Sequence, residues 1–350
     1  MTRNRLYLDH AATTPVLAEA RAAMAEGLAL WHNPSSPHAE GRAARAALEE
    51  ARTRVAAALG WTGRVIFTSG ASEALAIALG RAKADAVFVS AVEHDAVTRA
   101  APHARILPVD GNGLADLSGI EGERPLVAVQ HANNETGILQ PVAEVLAAVR
   151  QRGGILLCDC AQTAGKLPLP EADLIAISAH KFGGPPGAGA LLVRDPALIE
   201  PSGGQEGGYR AGTENLPAIL GMAAALEAGS GWTAEAQRLR ARLEDALLAA
   251  GAEIVGAATP RIATIGAYRM RGIPSDAQLI RFDMAGVAVS AGSACSSGSL
   301  KPSRVLAAMG WDEAVAREVV RVSFGRSTSE ADIDRFAALW AGIAGARRAA

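Results

Sequence analysis

The chain has 350 residues, of which 49% are hydrophobic and 20% charged, and its formal net charge is −2. Such a length and apolar content suit one large domain with a smaller companion and exclude a disordered or fibrous chain. With arginines scattered through amphipathic segments rather than clustered, no nucleic-acid partner is expected. The N-terminus, Met1 to Asp9, lacks the apolar stretch of a signal peptide. No run approaches the ~18 apolar residues of a membrane span. A soluble, cytoplasmic protein with no membrane partner is therefore expected. The three cysteines, Cys158, Cys160 and Cys295, form neither a disulfide framework nor a Cys-x-x-Cys zinc pattern, which suits a reducing compartment.

In chain order, apolar residues at Ala44, Leu48, Ala51, Val55 and Ala58 predict a helix over 40–59. A short buried strand follows over 64–68, then a helix over 72–79. Strands are expected over 86–90, 106–109 and 126–130. Pro141 opens a helix that runs to Arg150. Further strands are expected over 154–158, 173–178 and 190–193. This alternation predicts an α/β fold with a mostly parallel sheet covered by helices. Beyond Thr213 the pattern changes. Helices are expected over 213–228 and 232–250, separated by Gly229-Ser230-Gly231. Short strands over 252–255, 262–268, 287–290 and 319–324 then alternate with helices over 275–282, 303–309 and 329–346. Ser329 and Asp332 form a plausible capping pair for the last of these. This second half reads as a smaller α+β domain. The expected division is 15–235 for the large domain, with 1–14 and 236–350 forming the small one.

Polar groups gather at the ends of the expected strands. Ser178-Ala179-His180-Lys181-Phe182-Gly183-Gly184 follows an apolar strand, where a lysine flanked by glycines can reach into the crevice beyond an α/β sheet. Lysine forms a Schiff base with an aldehyde cofactor; a solvated loop lysine is the plainer reading. Asp159 ends the strand before it, and an acid there can keep a pyridine nitrogen protonated, as pyridoxal phosphate (PLP) requires. A helix cap or a loop salt bridge is its alternative. Thr68-Ser69-Gly70-Ala71-Ser72-Glu73 links a strand to a helix and offers hydroxyls and free amides to a phosphate, although Ser72 could be simply an N-cap. No Walker lysine and no G-x-G-x-x-G run is present, which disfavours ATP and NAD. His94 and Asn133-Asn134-Glu135-Thr136-Gly137 occupy two more strand ends. A histidine there could stack on a cofactor ring and carry protons near neutral pH. Such convergence on one sheet edge outweighs any single motif.

Cys295 lies in a Ser/Gly/Ala-rich segment, Ser290 to Ser299, where an exposed thiol could act as a nucleophile. Cys158 and Cys160 flank Asp159 and are expected to pack near the crevice. Without further ligands, no metal site is expected from them.

Together these residues resemble the cysteine desulfurases of the nitrogen-fixation and iron–sulfur-assembly type, in the class V aminotransferase superfamily. The matching segments are Tyr7 to Pro15, Asn33-Pro34-Ser35-Ser36, Thr68 to Glu73, Glu93-His94, Asn133 to Gly137, Gln205-Glu206 and Arg210-Ala211-Gly212-Thr213-Glu214-Asn215. The resemblance spans nearly the whole chain. It implies the PLP-dependent transferase fold of type I, with a seven-stranded sheet in the large domain and a small domain carrying the Cys295 loop. It also implies that Lys181 carries the cofactor, that His94 stacks on it and moves protons, that Asp159 pairs with the ring nitrogen, and that Gln162 bonds the phenolic oxygen. Ala71, Ser72, Ser178 and His180 would hold the phosphate. Thr213 would reach the phosphate in a partner subunit, making a homodimer. Asn134 and Arg321 would position the substrate, with Arg326 the rival carboxylate clamp. The implied reaction converts L-cysteine to L-alanine, leaves a persulfide on Cys295 and passes the sulfur to an acceptor protein or thiol. That sulfur would serve iron–sulfur cluster or thio-cofactor synthesis. The chain departs from the family pattern at Ala74-Leu75-Ala76 and at Gly207, where the family often has arginine.

Two other readings stand beside this one. A selenocysteine lyase or another class V transferase shares the fold; an aminotransferase has no use for a thiol in a Gly/Ser loop, whereas the chemistry of a selenocysteine lyase is nearly the same. A non-catalytic homologue would have dispensed with Lys181, Asp159 or Cys295, and all three are present.

Overall fold

The computed structural model describes residues 5–292 and 302–348. The chain opens with β1 (Leu6–Tyr7), α1 (Ala18–Ala29) and α2 (Ala39–Leu59). In α2 the residues at the expected spacing, Ala44, Leu48, Ala51 and Val55, are buried, and Gly60 ends the helix in a left-handed conformation at φ 63°. Alternating elements follow: β2 (Arg64–Thr68), α3 (Ala71–Arg81), β3 (Ala86–Ser90), α4 (Asp95–Ala100), β4 (Arg105–Leu107), β5 (Pro125–Gln130), α5 (Val142–Arg150), β6 (Ile155–Asp159), β7 (Leu174–Ser178) and β8 (Gly189–Val193).

These strands form one seven-stranded sheet in the order β2-β8-β7-β6-β5-β3-β4. Strand β8 runs antiparallel to both its neighbours and the other pairings are parallel. Because helices cover both faces, β5 to β8 read as continuous apolar runs rather than alternating ones. Val127, Leu156 and Ile175 pack on one face with α2 and α5, while Leu126, Leu157 and Leu174 pack on the other with α3 and α4. The carboxyl ends of β2, β3, β5, β6 and β7 consequently lie along the same edge of the sheet.

Next come α6 (Leu216–Glu227), α7 (Thr233–Ala249), β9 (Glu253–Ile254), β10 (Ile265–Arg269), α8 (Ser275–Met284), β11 (Val287–Ala288), α9 (Arg304–Ala308), α10 (Glu313–Ala316), β12 (Val319–Ser323) and α11 (Glu330–Arg348). An antiparallel sheet, β12-β10-β9, and the short parallel pair β1-β11 make up the second body. Its core gathers Leu6, Leu8, Leu239, Leu243, Tyr268 and Phe282 with Phe336 and Trp340 of α11. Phe282 lies stacked against both Phe336 and Trp340. Ser329 and Asp332 cap α11 reciprocally: Asp332 Oδ2 accepts from the Ser329 amide at 2.9 Å and Ser329 Oγ from the Asp332 amide at 3.3 Å.

Two local expectations are corrected. The helix expected from Thr213 begins at Leu216, because the Asn215 side chain accepts from the Ala218 amide and Pro217 fixes the first turn. Ser72 is not an N-cap, since α3 starts at Ala71 with Gly70 in the cap position. Helix α1 carries no apolar stripe; only Ala20 and Gly27 are buried along it. It docks on α6 by close backbone approach instead. A Cβ on Gly27 would lie 2.7 Å from Pro217 Cα, and one on Gly221 would lie 2.7 Å from Met24 Cγ.

Trp340→Ala would empty the centre of the second body, where this ring is fully buried. A loss of about 3–5 kcal/mol is expected in urea denaturation. A loss below about 1 kcal/mol would show that the aromatic stack does not support this core.

Candidate active site

At the sheet edge, β2 gives way to α3 through Ser69 and Gly70. The Thr68 hydroxyl donates to Gly70 O at 2.9 Å and stiffens this turn. No side chain caps α3, so the first amides of the helix remain available to an anion. The turn sits against β8, where Gly189 stands opposite both Thr68 and Ser178. A Cβ on Gly189 would come within 2.6 Å of Gly70 Cα. Glycine is therefore required for the close approach of these two backbones.

Lys181 ends the single turn that follows β7. Its Nζ donates to Ala11 O at 2.6 Å and to Ala12 O at 2.8 Å. Beside it, His180 Nδ1 lies 3.2 Å from Thr13 Oγ1. Burial, together with the charges of Lys181 and Lys166, pulls this imidazole down to about 4. Asp159 ends β6, and its Oδ1 accepts from the Ala161 amide at 2.8 Å. Burial raises this carboxyl above its ordinary value, while the Ala161 amide, His94 and Lys181 oppose the rise. His94 caps α4, with Nδ1 accepting from the Ala96 amide at 3.1 Å. That bond fixes the neutral tautomer, with the proton on Nε2. Burial lowers the histidine below its ordinary value and the Asp159 charge partly offsets it. Gln162 Nε2 donates to Ala11 O at 2.9 Å.

From the second body comes Arg321, on β12. Its Nη1 donates to Asn134 O at 2.9 Å and its Nη2 to Asp9 Oδ1 at 2.7 Å. Arg326 sits elsewhere. It reaches the C-terminal end of α6, donating to Ala228 O at 3.2 Å and also contacting Gly229 O, with its guanidinium over the Trp232 ring.

A cleft of about 420 Å³ unites these groups. Ala71, Ser72, Ser178 and His180 line one part, and His94, Asp159, Gln162 and Lys181 another, with Asn134 and Arg321 completing the wall. Arg326 is not among the lining residues. Thr213 is exposed and does not line the cleft either. Two buried wall atoms, Gln162 Oε1 and Arg321 Nε, have no hydrogen-bond partner among the described residues. Buried polar atoms left unpaired call for a partner such as a water, an ion or a ligand group. The donor set fits PLP: an amine, an acid for a ring nitrogen, a histidine, and a helix mouth with hydroxyls for a phosphate.

The family described as Aminotransferase class-V matches residues 6–336. A cysteine desulfurase of Cereibacter sphaeroides is 36% identical, covering 95% of this chain and 93% of its own. One from Klebsiella pneumoniae is 38% identical, covering 94% and 90%. The solved NifS-like protein of Rickettsia africae superposes with a TM-score of 0.89 at 29% identity, over 97% of this chain and 99% of that one. The chain belongs to the class-V aminotransferase family, in its cysteine desulfurase branch. PLP is the cofactor of this desulfurase.

Cys295 lies outside the described residues. The described residues flanking its segment, Gly292 and Ser303, share the wall of a small cavity with Arg321. Cys158 and Cys160 of the desulfurase are fully buried behind Asp159, with their sulfurs 3.7 Å apart. No group of three or more possible metal ligands exists among the described residues.

Sequence reasoning gave no role to Asp9, the ion-pair partner of Arg321, nor to Lys166. The pairing of Asp9 depends on a contact across more than 300 residues, which no local pattern announces. Lys166 is buried, at 4% exposure. Burial, with the Lys181 charge adding to it, pulls its amine down to about 7. Between pH 7 and its unfolded value of 10.5 the unfolded chain holds a proton that the folded one has shed. Lys166 therefore makes stability rise with pH across that window, and its full penalty falls below pH 7. Lys166→Met should stabilise the desulfurase at pH 7, with the advantage over the parent shrinking toward pH 9.5 in urea titrations. An advantage independent of pH would show that Lys166 keeps its proton in the fold.

Proposed function

We propose that the residues lining this cleft carry out desulfuration together with Cys295. The desulfurase converts L-cysteine to L-alanine, with the sulfur captured as a protein persulfide and then transferred. Lys181 would hold the cofactor covalently, Asp159 would pair with its ring nitrogen, and His94 and Gln162 would flank the ring. Ala71, Ser72, Ser178 and His180 would hold the phosphate. When bound, PLP supplies an electron sink for the substrate Cα.

The remaining chemistry belongs to the chain. Arg321 would bind the substrate carboxylate, aided by Asn134; the observation that supports this is its place on the cleft wall with Nε unpaired. His94, with Nδ1 occupied by the Ala96 amide, gives or takes a proton at Nε2. Lys181 would be the second base within the cleft. The Cys295 thiolate attacks the substrate sulfur, so that an S–S bond forms on the protein as the substrate C–S bond breaks. The carbon released takes up protons and leaves as alanine. The persulfide then passes to an acceptor protein or thiol.

A homodimer completes the site in this reading, with Thr213 reaching the phosphate in the partner subunit. Its exposure, away from its own cleft, supports that role. So do the exposed Leu28 and Trp31, at 67% and 79%. The clustering of Leu6 and Leu8 with the second core supports a division into 15–235 and 1–14 with 236–350. No described helix is long and apolar enough to cross a membrane.

Single-turnover reaction with L-cysteine tests the assignment. Cys295→Ala should keep the PLP absorbance but yield neither persulfide nor alanine; persulfide on that variant would remove Cys295 from its role. Arg321→Gln should raise KM for L-cysteine at least about tenfold, whereas Arg326→Gln should leave it within about twofold. The reverse order would move the carboxylate clamp to Arg326.

A further inference from the structure

Glu73 is an anomaly in the proposed site. It lies in the first turn of α3 and lines the cleft beside Ser69, Gly70, Ala71 and Ser72. An uncompensated carboxylate there would repel the phosphate that this helix mouth is read as holding. Both its oxygens are engaged. Oε2 accepts from the Ser69 amide at 2.5 Å and Oε1 from Arg210 Nε at 2.8 Å. Burial pushes the carboxyl up, yet the Ser69 and Arg210 bonds prevail and hold it below its ordinary value. It is therefore ionised at neutral pH.

Arg210 is held from the other side. Its side chain is only 16% exposed, and Nη1 donates to Gly212 O at 3.1 Å. Its backbone pairs with Gln205 in both directions, at 2.9 and 3.2 Å. The next residue after Gln205, Glu206, is buried and pinned in turn: Arg52 donates to its carboxylate at 2.6 and 3.0 Å, and the Phe67 amide does so at 2.9 Å. Glu206 adopts φ 53° to do this, a left-handed conformation that costs a non-glycine residue energy. The 203–212 segment is thus fastened to α2 and β2 by Glu206, and to α3 by Arg210.

We infer that Glu73 and Arg210 are a positioning pair for the cofactor phosphate: Glu73 shapes the turn by holding the Ser69 amide, and Arg210 cancels the carboxylate charge that this requires. The inference rests on the reading that the α3 mouth takes the phosphate. It sets an order among variants that simple loss of structure does not. Arg210→Gln leaves a bare carboxylate at the cup and should be worse than Glu73→Gln, which removes the charge altogether. Removing both should restore part of what Arg210→Gln loses.

The test is titration of the full-length chain, stripped of cofactor, with PLP and separately with pyridoxal, which lacks the phosphate, following absorbance. Arg210→Gln should weaken PLP about tenfold or more, Glu73→Gln by less, and the double variant should fall nearer to Glu73→Gln than to Arg210→Gln. Pyridoxal affinity should stay level across the set. Equal losses for PLP and pyridoxal, or no loss of PLP, would overturn the pair's role. If Arg210→Gln alone does not fold, the double variant carries the comparison, with its PLP loss and level pyridoxal affinity read against Glu73→Gln. A parent chain that binds pyridoxal as tightly as PLP would instead overturn the underlying phosphate assignment, and Ser72→Asp checks that separately by abolishing PLP preference if the assignment holds.

Discussion

A short strap near the N-terminus, residues 8–14, ties the site together. Leu8 is buried in the second body's core, while Ala11 and Ala12 offer their carbonyls to Lys181 and Ala11 O also takes Gln162. Between them, Asp9 holds Arg321, and the Ser323 hydroxyl accepts from the Ala11 amide at 2.8 Å. Thr14 closes the strap by donating its amide to His180 O at 2.8 Å. The lysine from the large sheet and the arginine from the small one are therefore positioned by the same few residues. A displacement of the strap moves both, so the spacing between Lys181 and Arg321 is set by a single backbone segment.

Electrostatics in this crevice follow from how little water reaches it. Asp159, His94 and Lys181 act on one another, and burial opposes the charged form of the aspartate and of the histidine. His10 illustrates the same setting without a role in the chemistry. Burial and then the nearby Lys166 pull it down to about 4, so it stays a neutral, packed ring edge-on to Tyr7.

Much of this was legible in the sequence because the informative residues sit where strands end. Apolar runs such as Leu174–Ser178 announce a doubly covered sheet, and β5, β6 and β7 end on Gln130, Asp159 and Ser178, which line the crevice. Lys181, Asp159, His94 and the 68–73 turn stood out for that reason. What stayed hidden depends on long-range contact or on small-residue packing. Helix α1 shows no stripe because glycine and alanine dock it. The choice between Arg321 and Arg326 could not be made from spacing, since one lies within and the other just beyond the same apolar strand. Only folding sends one into the cleft and the other to the end of α6. Asp9 was silent because its partner arrives from another part of the fold, and Lys166 because only the folded chain buries it.

Strand β8 has a further consequence. Its first residue, Gly189, pairs with Thr68 on one side and Ser178 on the other. The turn at Ser69-Gly70 and the turn carrying Lys181 therefore spring from strands two places apart, a separation of about 9–10 Å set by main-chain hydrogen bonding. Peptide geometry, which side-chain substitution cannot stretch, is thus the ruler against which any ligand spanning the two turns is measured. Sequence drift can change what the crevice grips at either end, but the length it accepts is written in the register of one reversed strand.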